Sequence, residues 1–363
     1  YFVFFLYAFK ESMLYYRNKR GEITLATLHN YFNDFHERIK LEMDDKEVLR
    51  DKRTAVEKAI NDNILLDFNY SFFNQGSYST HTGTKPIEGD DYDIDRGMVI
   101  QATEEEISVK KAKRELYNAL VKEFGEANVF VKVPCVTVIF PKADIHVDIA
   151  IYRKENEDYY LGKGKLNSLS DNIFWEKSDP KNLRDKINSA QSETDDRRQF
   201  RRTIRYLKRW KDLKFKGEDQ RPNGIGLSIF ALNRFEPSYS HDAISYIKNY
   251  DDVACLKNVV KKMIDDFVPI YGEEGFYPRI RVMLPVDPYT DVYSRVSENQ
   301  MKKFKEKLEL LYNALDEAIK MSDIHDATTL LQKYFGEDLE IVPQEETANS
   351  FVKSAIINDY PSA

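Results

Sequence analysis

The chain has 363 residues, of which 42% are hydrophobic and 32% charged, with a formal net charge of −7. That length supplies a core for one large domain or two lobes, and that balance is the composition of a soluble globular protein. Net acidity excludes a general polyanion trap: a protein that grips long DNA or RNA non-specifically is usually basic overall, so a nucleotide-handling site here must be a local basic patch.

Residues 1–9 are apolar, but Lys10 and Glu11 end the run far short of the roughly 20 residues a spanning helix needs. No basic region precedes it and no small-residue cleavage site follows, so a signal peptide is not expected. The segment reads as a buried or interfacial start, or as a trimmed end. Cys135 and Cys255 show no metal-ligand spacing and are too few for a disulfide framework at this size, and the six histidines are scattered. Reduced thiols in a cytoplasmic protein without zinc are expected.

From Thr24 a helical stripe begins: Leu25, Leu28, Phe32, Phe35 and Ile39 recur at three- and four-residue steps, and a highly charged continuation runs to residue 61. Phe68, Tyr70 and Phe72 then alternate with polar residues, predicting a strand that runs into Asn74-Gln75-Gly76-Ser77. A second strand is expected over residues 91–100. Thr103 and Glu106 form a capping box for a helix through Val109, Ala112, Leu116 and Leu120, ending at Gly125. Two β-rich runs follow, 128–140 and 143–153, joined by a turn at Pro141-Lys142, and residues 158–161 read as an edge strand. After Gly164 the strands largely stop. From about residue 179 the pattern is mainly helical, with Phe200, Ile204, Leu207 and Trp210 on one helix face and Phe304, Leu308, Leu311, Leu315 and Ile319 on another. The tail from Pro343 is polar, weakly patterned and expected to be loosely held.

Three pieces carry chemistry together: Gln75-Gly76-Ser77 at a strand end, Asp93-Ile94-Asp95 on a second strand, and Asp148 within Ile145-His-Val-Asp-Ile-Ala-Ile151. Side chains two apart on a strand share a face, about 6.5–7 Å apart, so Asp93 and Asp95 project together. Ile145, Val147, Ile149 and Ile151 fill one face of the third strand, which turns Asp148 to the other. If the two strands are neighbours, three carboxylates converge and repel strongly unless a cation lies between them. Mg²⁺ takes oxygen ligands and shares sites with substrate phosphates, and two such ions can activate a hydroxyl and hold leaving pyrophosphate. Gly76 allows close backbone approach to a phosphate, and Ser77 offers a hydroxyl and an amide. Each piece alone has a plainer reading as a turn or a solvated face. Their joint occurrence, in order, is far more specific.

The arrangement resembles the nucleotidyltransferase fold shared by DNA polymerase β, poly(A) polymerases and the cGAS/DncV-like enzymes. The resemblance is closer to the bacterial cGAS/DncV-like nucleotidyltransferases of CBASS anti-phage systems, through residues 73–82, 91–97 and 146–152. It implies an α+β fold, with a polymerase-β-like core of mixed sheet and helices plus a C-terminal helical lobe. Arg205-Tyr-Leu-Lys-Arg-Trp-Lys211 looks like the helix whose lysine binds donor triphosphate, and Pro222-Asn-Gly-Ile-Gly-Leu-Ser228 like the following segment whose serine does the same. By this match Lys208 and Ser228 join Gln75, Gly76 and Ser77 as nucleotide ligands, and Asp93, Asp95 and Asp148 are the catalytic metal ligands for two Mg²⁺, with Mn²⁺ as a substitute. No Cys/His zinc insertion interrupts the helical half, which separates the chain from animal DNA sensors.

The implied layout is an N-terminal segment and long spine helix (1–62), a catalytic core (63–170), a helical lobe completing the pocket (171–342) and a flexible tail (343–363). The implied activity condenses nucleoside triphosphates, ATP among them, into a cyclic di- or trinucleotide messenger. Alternatives are another transferase on the same core (linear oligoadenylate, tRNA-tailing, antibiotic- or protein-modifying) or a catalytically silent nucleotide-binding scaffold. No membrane or long nucleic acid is expected as partner, and an operon-encoded regulator or an enzyme conjugating the chain through Ala363 is an implied one. Arg198, Arg202, Arg205 and Arg209 share a helix face that is expected to be largely solvated, Lys208 excepted. His146, on the face of Asp148, is expected in a hydrogen-bonded structural role rather than on metal. Tyr78 and His81 are open between packing and nucleotide contact.

Overall fold

The computed structural model describes residues 15–17, 23–25, 27–41, 47–273 and 275–344. The apolar opening run and the tail beyond residue 344, with Ala363, lie outside the described residues. A short antiparallel pair, β1 (Tyr15–Arg17) and β2 (Ile23–Leu25), precedes α1 (Leu28–Ile39) and α2 (Glu47–Asn63). The single spine helix expected from Thr24 is therefore two helices, with Leu25 on a strand. Packing explains the division. Phe32, Phe35 and Ile39 of α1 enter the core of the helical half, whereas Leu49, Val56, Ala59 and Ile60 of α2 pack on the sheet.

The sheet builds from β3 (Tyr70–Asn74), a single turn α3 (Gly76–Ser79), β4 (Tyr92–Gln101), α4 (Val109–Phe124), β5 (Val129–Val131), β6 (Val136–Phe140), β7 (Ile145–Glu155), β8 (Asp158–Lys163) and β9 (Phe174–Ser178). Strand order is β3-β4-β7-β6-β5, with β8 paired to β7 and β9 outside β8. Only β4 and β7 run parallel; every other pair in the sheet is antiparallel. The predicted edge strand is thus covered by β9. Ile94, Met98 and Ile100 of β4 and Ile145, Val147, Ile149 and Ile151 of β7 face α2 and α4, forming one core with Leu116 and Leu120. Thr103 N–H does donate to Glu106 Oε2 at 2.7 Å, but Ser108 is the N-cap, accepting from Lys111 N–H at 3.2 Å, so the helix begins at Val109.

The second half comprises α5 (Pro180–Asn188), α6 (Thr194–Lys214), α7 (Gly224–Arg234), the hairpin β10 (Tyr239–His241)/β11 (Lys248–Tyr250), α8 (Asp252–Asp265), the hairpin β12 (Val268–Gly272)/β13 (Gly275–Arg279), α9 (Glu298–Lys320) and α10 (Ile324–Phe335). Strands therefore continue past Gly164, as β9 and two hairpins too short for periodicity to reveal. Phe200, Ile204, Leu207 and Trp210 of α6 are buried as their spacing predicts; so are Phe304, Leu308, Leu311 and Leu315 of α9, while Ile319 remains exposed. Asp179 and Asn223 cap α5 and α7 through their side chains.

The arginine face of α6 departs from expectation. Arg198 alone of the four is exposed, paired to Asp195, while Arg205 and Arg209 are buried and Arg202 nearly so. Asp252, fully buried at the start of α8, accepts from Arg202 Nε and Nη2 at 2.6 and 2.8 Å and from the Tyr206 hydroxyl at 2.8 Å. The face is a set of internal tethers because its neighbours present acceptors to it. No helix among the described residues is long and apolar enough to cross a membrane.

Candidate active site

The parallel register of β4 on β7 sets Asp93 beside His146 and Asp95 beside Asp148. Adjacent strands lie about 4.8 Å apart, and the isoleucines and valines of both strands occupy the opposite face, so all four polar side chains share one surface. His146 Nε2 lies 3.1 Å from Asp93 Oδ1, which raises the imidazole's pKa above its ordinary value. This is the hydrogen-bonded role expected of His146, although the ring also stands with Asp93 and Asp148 in a group whose potential ligand atoms lie within 4.8 Å of one another. Thr137 donates its hydroxyl to Asp148 Oδ1, and Lys132 Nζ lies 3.4 Å from both oxygens of that carboxylate.

Asp95 sits deepest. Burial first, then the charges of Asp93 and Asp148, push its carboxyl up to about 7. Gly76 stands directly against it: φ is +64°, and a Cβ there would lie 1.8 Å from Asp95 Oδ2. Both the left-handed backbone and the contact require glycine. Gln75 N–H donates to Asp95 O at 3.3 Å, and the buried Tyr152 hydroxyl donates to Gln75 Oε1 at 3.0 Å, fixing the turn to β4 and β7.

The helical half supplies the opposite wall. Lys208 on α6 is 8% exposed and donates to Thr82 O and Oγ1, each at 3.1 Å. Burial, followed by the neighbouring charges of Lys211 and Arg205, lowers its ammonium to about 7. Ser228 on α7 is buried, and its hydroxyl donates to Gly224 O at 3.1 Å within its own helix, leaving lone pairs but committing the proton. Gln75, Gly76, Ser77, Asp93, Asp95, Lys208 and Ser228 all line one cleft of about 750 Å³ between the sheet and the helical half. Asp148 is not among the residues lining the cleft; it stands on β7 beside Asp95 of β4. Tyr78 packs on the sheet core and His81 is exposed, outside the cleft lining.

The donor set suits a hard divalent cation: carboxylate oxygens from two strands converge, and their mutual repulsion, read in the raised Asp95, is what such a cation relieves. Several residues lining the cleft escaped the motif reading, among them Lys85, Arg184, Lys211 and Arg221. Only Lys211 had a usable signal, one turn beyond Lys208 on the same helix. Lys132 and Thr137 reach Asp148 through the β5–β6 connection and β6, a placement fixed by strand register alone. Cys135 and Cys255 are buried free thiols, each pushed up to about 12 by burial.

Residues 70–152 match the family described as cyclic GMP-AMP synthase DncV-like, nucleotidyltransferase domain. A cyclic GMP-AMP synthase from Escherichia albertii is 31% identical over 156 residues, 41% of this chain and 33% of that protein, so the alignment spans about a third of the relative's length. Among solved structures, Vibrio cholerae DncV cyclic AMP-GMP synthase bound to the linear intermediate 5′ pppA(3′,5′)pG superposes with a TM-score of 0.65 at 16% identity, covering 92% of this chain and 98% of that one. The Bradyrhizobium diazoefficiens CD-NTase CdnG in complex with GTP gives 0.63 at 15% identity, covering 90% and 97%. The mixed sheet with its helical half is therefore the fold of the DncV-like nucleotidyltransferases.

Proposed function

We propose, from a chain whose residues 70–152 carry a DncV-like nucleotidyltransferase domain, that it joins nucleoside triphosphates, ATP among them, into a cyclic di- or trinucleotide and releases pyrophosphate. The observation that carries the reading is the meeting of Asp93, Asp95 and Asp148 on two parallel neighbours, with Ser77 on the same wall and Lys208 on the opposite wall of the cleft that Asp93 and Asp95 line. Asp93, Asp95 and Asp148 would hold a pair of Mg²⁺ ions, which when bound supply charge neutralisation at the phosphates and acidify the attacking hydroxyl.

The remaining work falls to the chain. Asp148, held by Thr137 and Lys132, would help activate the acceptor ribose hydroxyl. Gly76 lets the turn approach the donor triphosphate closely, and Ser77 and Gln75 contact it. Lys208 reaches the same phosphates as a buried ammonium, where its charge acts through little water. Ser228 lines the same cleft, and turning its hydroxyl from Gly224 O would let it donate to the triphosphate. A second attack in the same cleft of about 750 Å³ would close the ring. The setting we propose is cytoplasmic anti-phage signalling.

The test is incubation with four α-³²P-labelled NTPs and Mg²⁺ or Mn²⁺, phosphatase treatment and thin-layer chromatography, beside an Asp93→Ala/Asp95→Ala control. A small phosphatase-resistant product absent from the control is expected, and omission of single NTPs names the bases. A phosphatase-sensitive ladder would instead mean a linear synthase.

A further inference from the structure

Between the Gly76–Ser79 turn and β4 the chain passes through residues 80–91, and α6 with the segment after it binds the main chain there repeatedly. Arg205 Nη2 donates to His81 O at 2.8 Å and its Nε to Gly83 O at 3.0 Å. Lys208 holds Thr82, Arg209 Nη2 donates to Lys85 O at 3.0 Å, and Lys216 Nζ to Glu88 O at 2.6 Å. Arg205 thus brackets a single residue, Thr82, from both sides.

Thr82 is a junction. Its N–H donates to Ser77 O at 2.9 Å, and its carbonyl and hydroxyl are the two acceptors of the Lys208 ammonium. One fully buried threonine therefore ties together two of the residues that the proposed function assigns to the triphosphate, one from each wall of the cleft. His81, on one side of it, has φ +54°, a conformation that a non-glycine residue holds only when its surroundings impose it. The Arg205 contact to the His81 carbonyl is one such constraint.

Arg205 is itself oriented. Its Nη1 lies 2.8 Å from His36 Nε2, and a guanidinium only donates, so the imidazole accepts there in its neutral form. The other ring nitrogen, Nδ1, then carries the proton and donates to Glu37 Oε1 at 3.2 Å, a carboxylate that also pairs with Lys40 at 2.8 Å. A planar fork reaching two carbonyls one residue apart and an imidazole on α1 is a geometry a lysine ammonium cannot reproduce.

We propose that Arg205 is a positioning residue for triphosphate binding: by clamping His81 and Gly83 it fixes Thr82, and through Thr82 it sets the separation of Ser77 and Lys208. The inference rests on the proposed function, in that Ser77 and Lys208 must meet a triphosphate. Its signature is dependence on phosphate number. Misplacing the two ligands weakens the hold on β- and γ-phosphates and leaves base and ribose contacts alone.

The experiment is equilibrium binding of ATP and of GTP, and of AMP and GMP as probes without the outer phosphates, to the wild-type full chain, Arg205→Lys and Thr82→Val. Folding is checked by circular dichroism. Arg205→Lys is expected to raise the triphosphate Kd at least tenfold and the monophosphate Kd less than threefold, with Thr82→Val moving the same way by a smaller factor. Should Arg205→Lys fail to fold, Thr82→Val carries the test, since it keeps the main-chain clamp and removes one acceptor of Lys208. Equal losses for triphosphate and monophosphate, or no loss in either variant, overturn the positioning role. Wild-type protein that binds no triphosphate at all overturns the proposed function instead, a separate outcome.

Discussion

Asp95→Asn separates the cost of crowded carboxylates from their use. In the folded chain the Asp95 carboxyl titrates near 7 against 3.8 for an unperturbed aspartate, through burial and the charges of Asp93 and Asp148. The folded state therefore keeps this proton to higher pH than the unfolded chain does. Below pH 4 both states are protonated and the group contributes nothing; between 4 and 7 stability falls as pH rises, and above 7 the full penalty is in force. At about 1.4 kcal/mol per tenfold, that penalty has a ceiling of about 4 kcal/mol. Water in the open cleft screens the repulsion, so a gain of about 1–2 kcal/mol is expected for the neutral isostere. Urea denaturation of both proteins in EDTA from pH 5 to 8.5 measures it. Asn should be more stable at pH 8, with the advantage shrinking toward pH 5, and Mg²⁺ should stabilise the wild type more than the variant. An Asn protein equal to or weaker than wild type at pH 8, or a gain independent of pH, would refute the penalty that burial and the neighbouring carboxylates place on Asp95.

Gly76→Ala places a Cβ 1.8 Å from Asp95 Oδ2 on a left-handed backbone; strain of about 1–2 kcal/mol plus displacement of Asp95 should lower the melting temperature and abolish transferase activity, and a fully active alanine protein would refute the contact. Lys208, lowered to about 7 by burial and neighbouring cations, is largely neutral at pH 8, and a triphosphate favours its charged form. Calorimetry of ATP binding at pH 8 in buffers of different ionisation enthalpy should show proton uptake of up to one per site, lost in Lys208→Met. Asp252→Ala leaves the Arg202 guanidinium largely buried without its acceptor, while the Tyr206 hydroxyl keeps Phe32 O; a loss of about 3–5 kcal/mol in denaturation is expected.

Much of the acidic face is legible because a strand's period of two is strict. Isoleucine at every second position from 145 to 151, broken only by Val147, dictates the side on which Asp148 lies, and the same argument pairs Asp93 with Asp95. What alternation leaves open is which strands are neighbours and in what register. The pairing of Asp95 with Asp148 is a property of the parallel β4–β7 ladder, and so are the approaches of Lys132 and Thr137, which no local pattern encodes. The opening helix differs from its pattern for a related reason: one apolar stripe does not show that α1 and α2 serve different cores.

The arginines of α6 show a deeper limit. A cation in a sequence is read either as solvated or as the partner of an acid, because those are the alternatives that residue types reveal. Arg205, Lys208 and Arg209 instead donate to main-chain carbonyls of residues 81, 82, 83 and 85, acceptors that every residue possesses and no sequence pattern marks. Arg202 does find an acid, Asp252, but 50 residues away and at the start of another helix. A helix carrying so many cations can therefore sit inside a chain of net charge −7 without forming a continuous positive face. Its cations are divided: Arg205, Lys208 and Arg209 turn to residues 81–85, Arg198 and Arg202 pair with Asp195 and Asp252, and Lys214 donates to Lys333 O, so each is spent on a different neighbour.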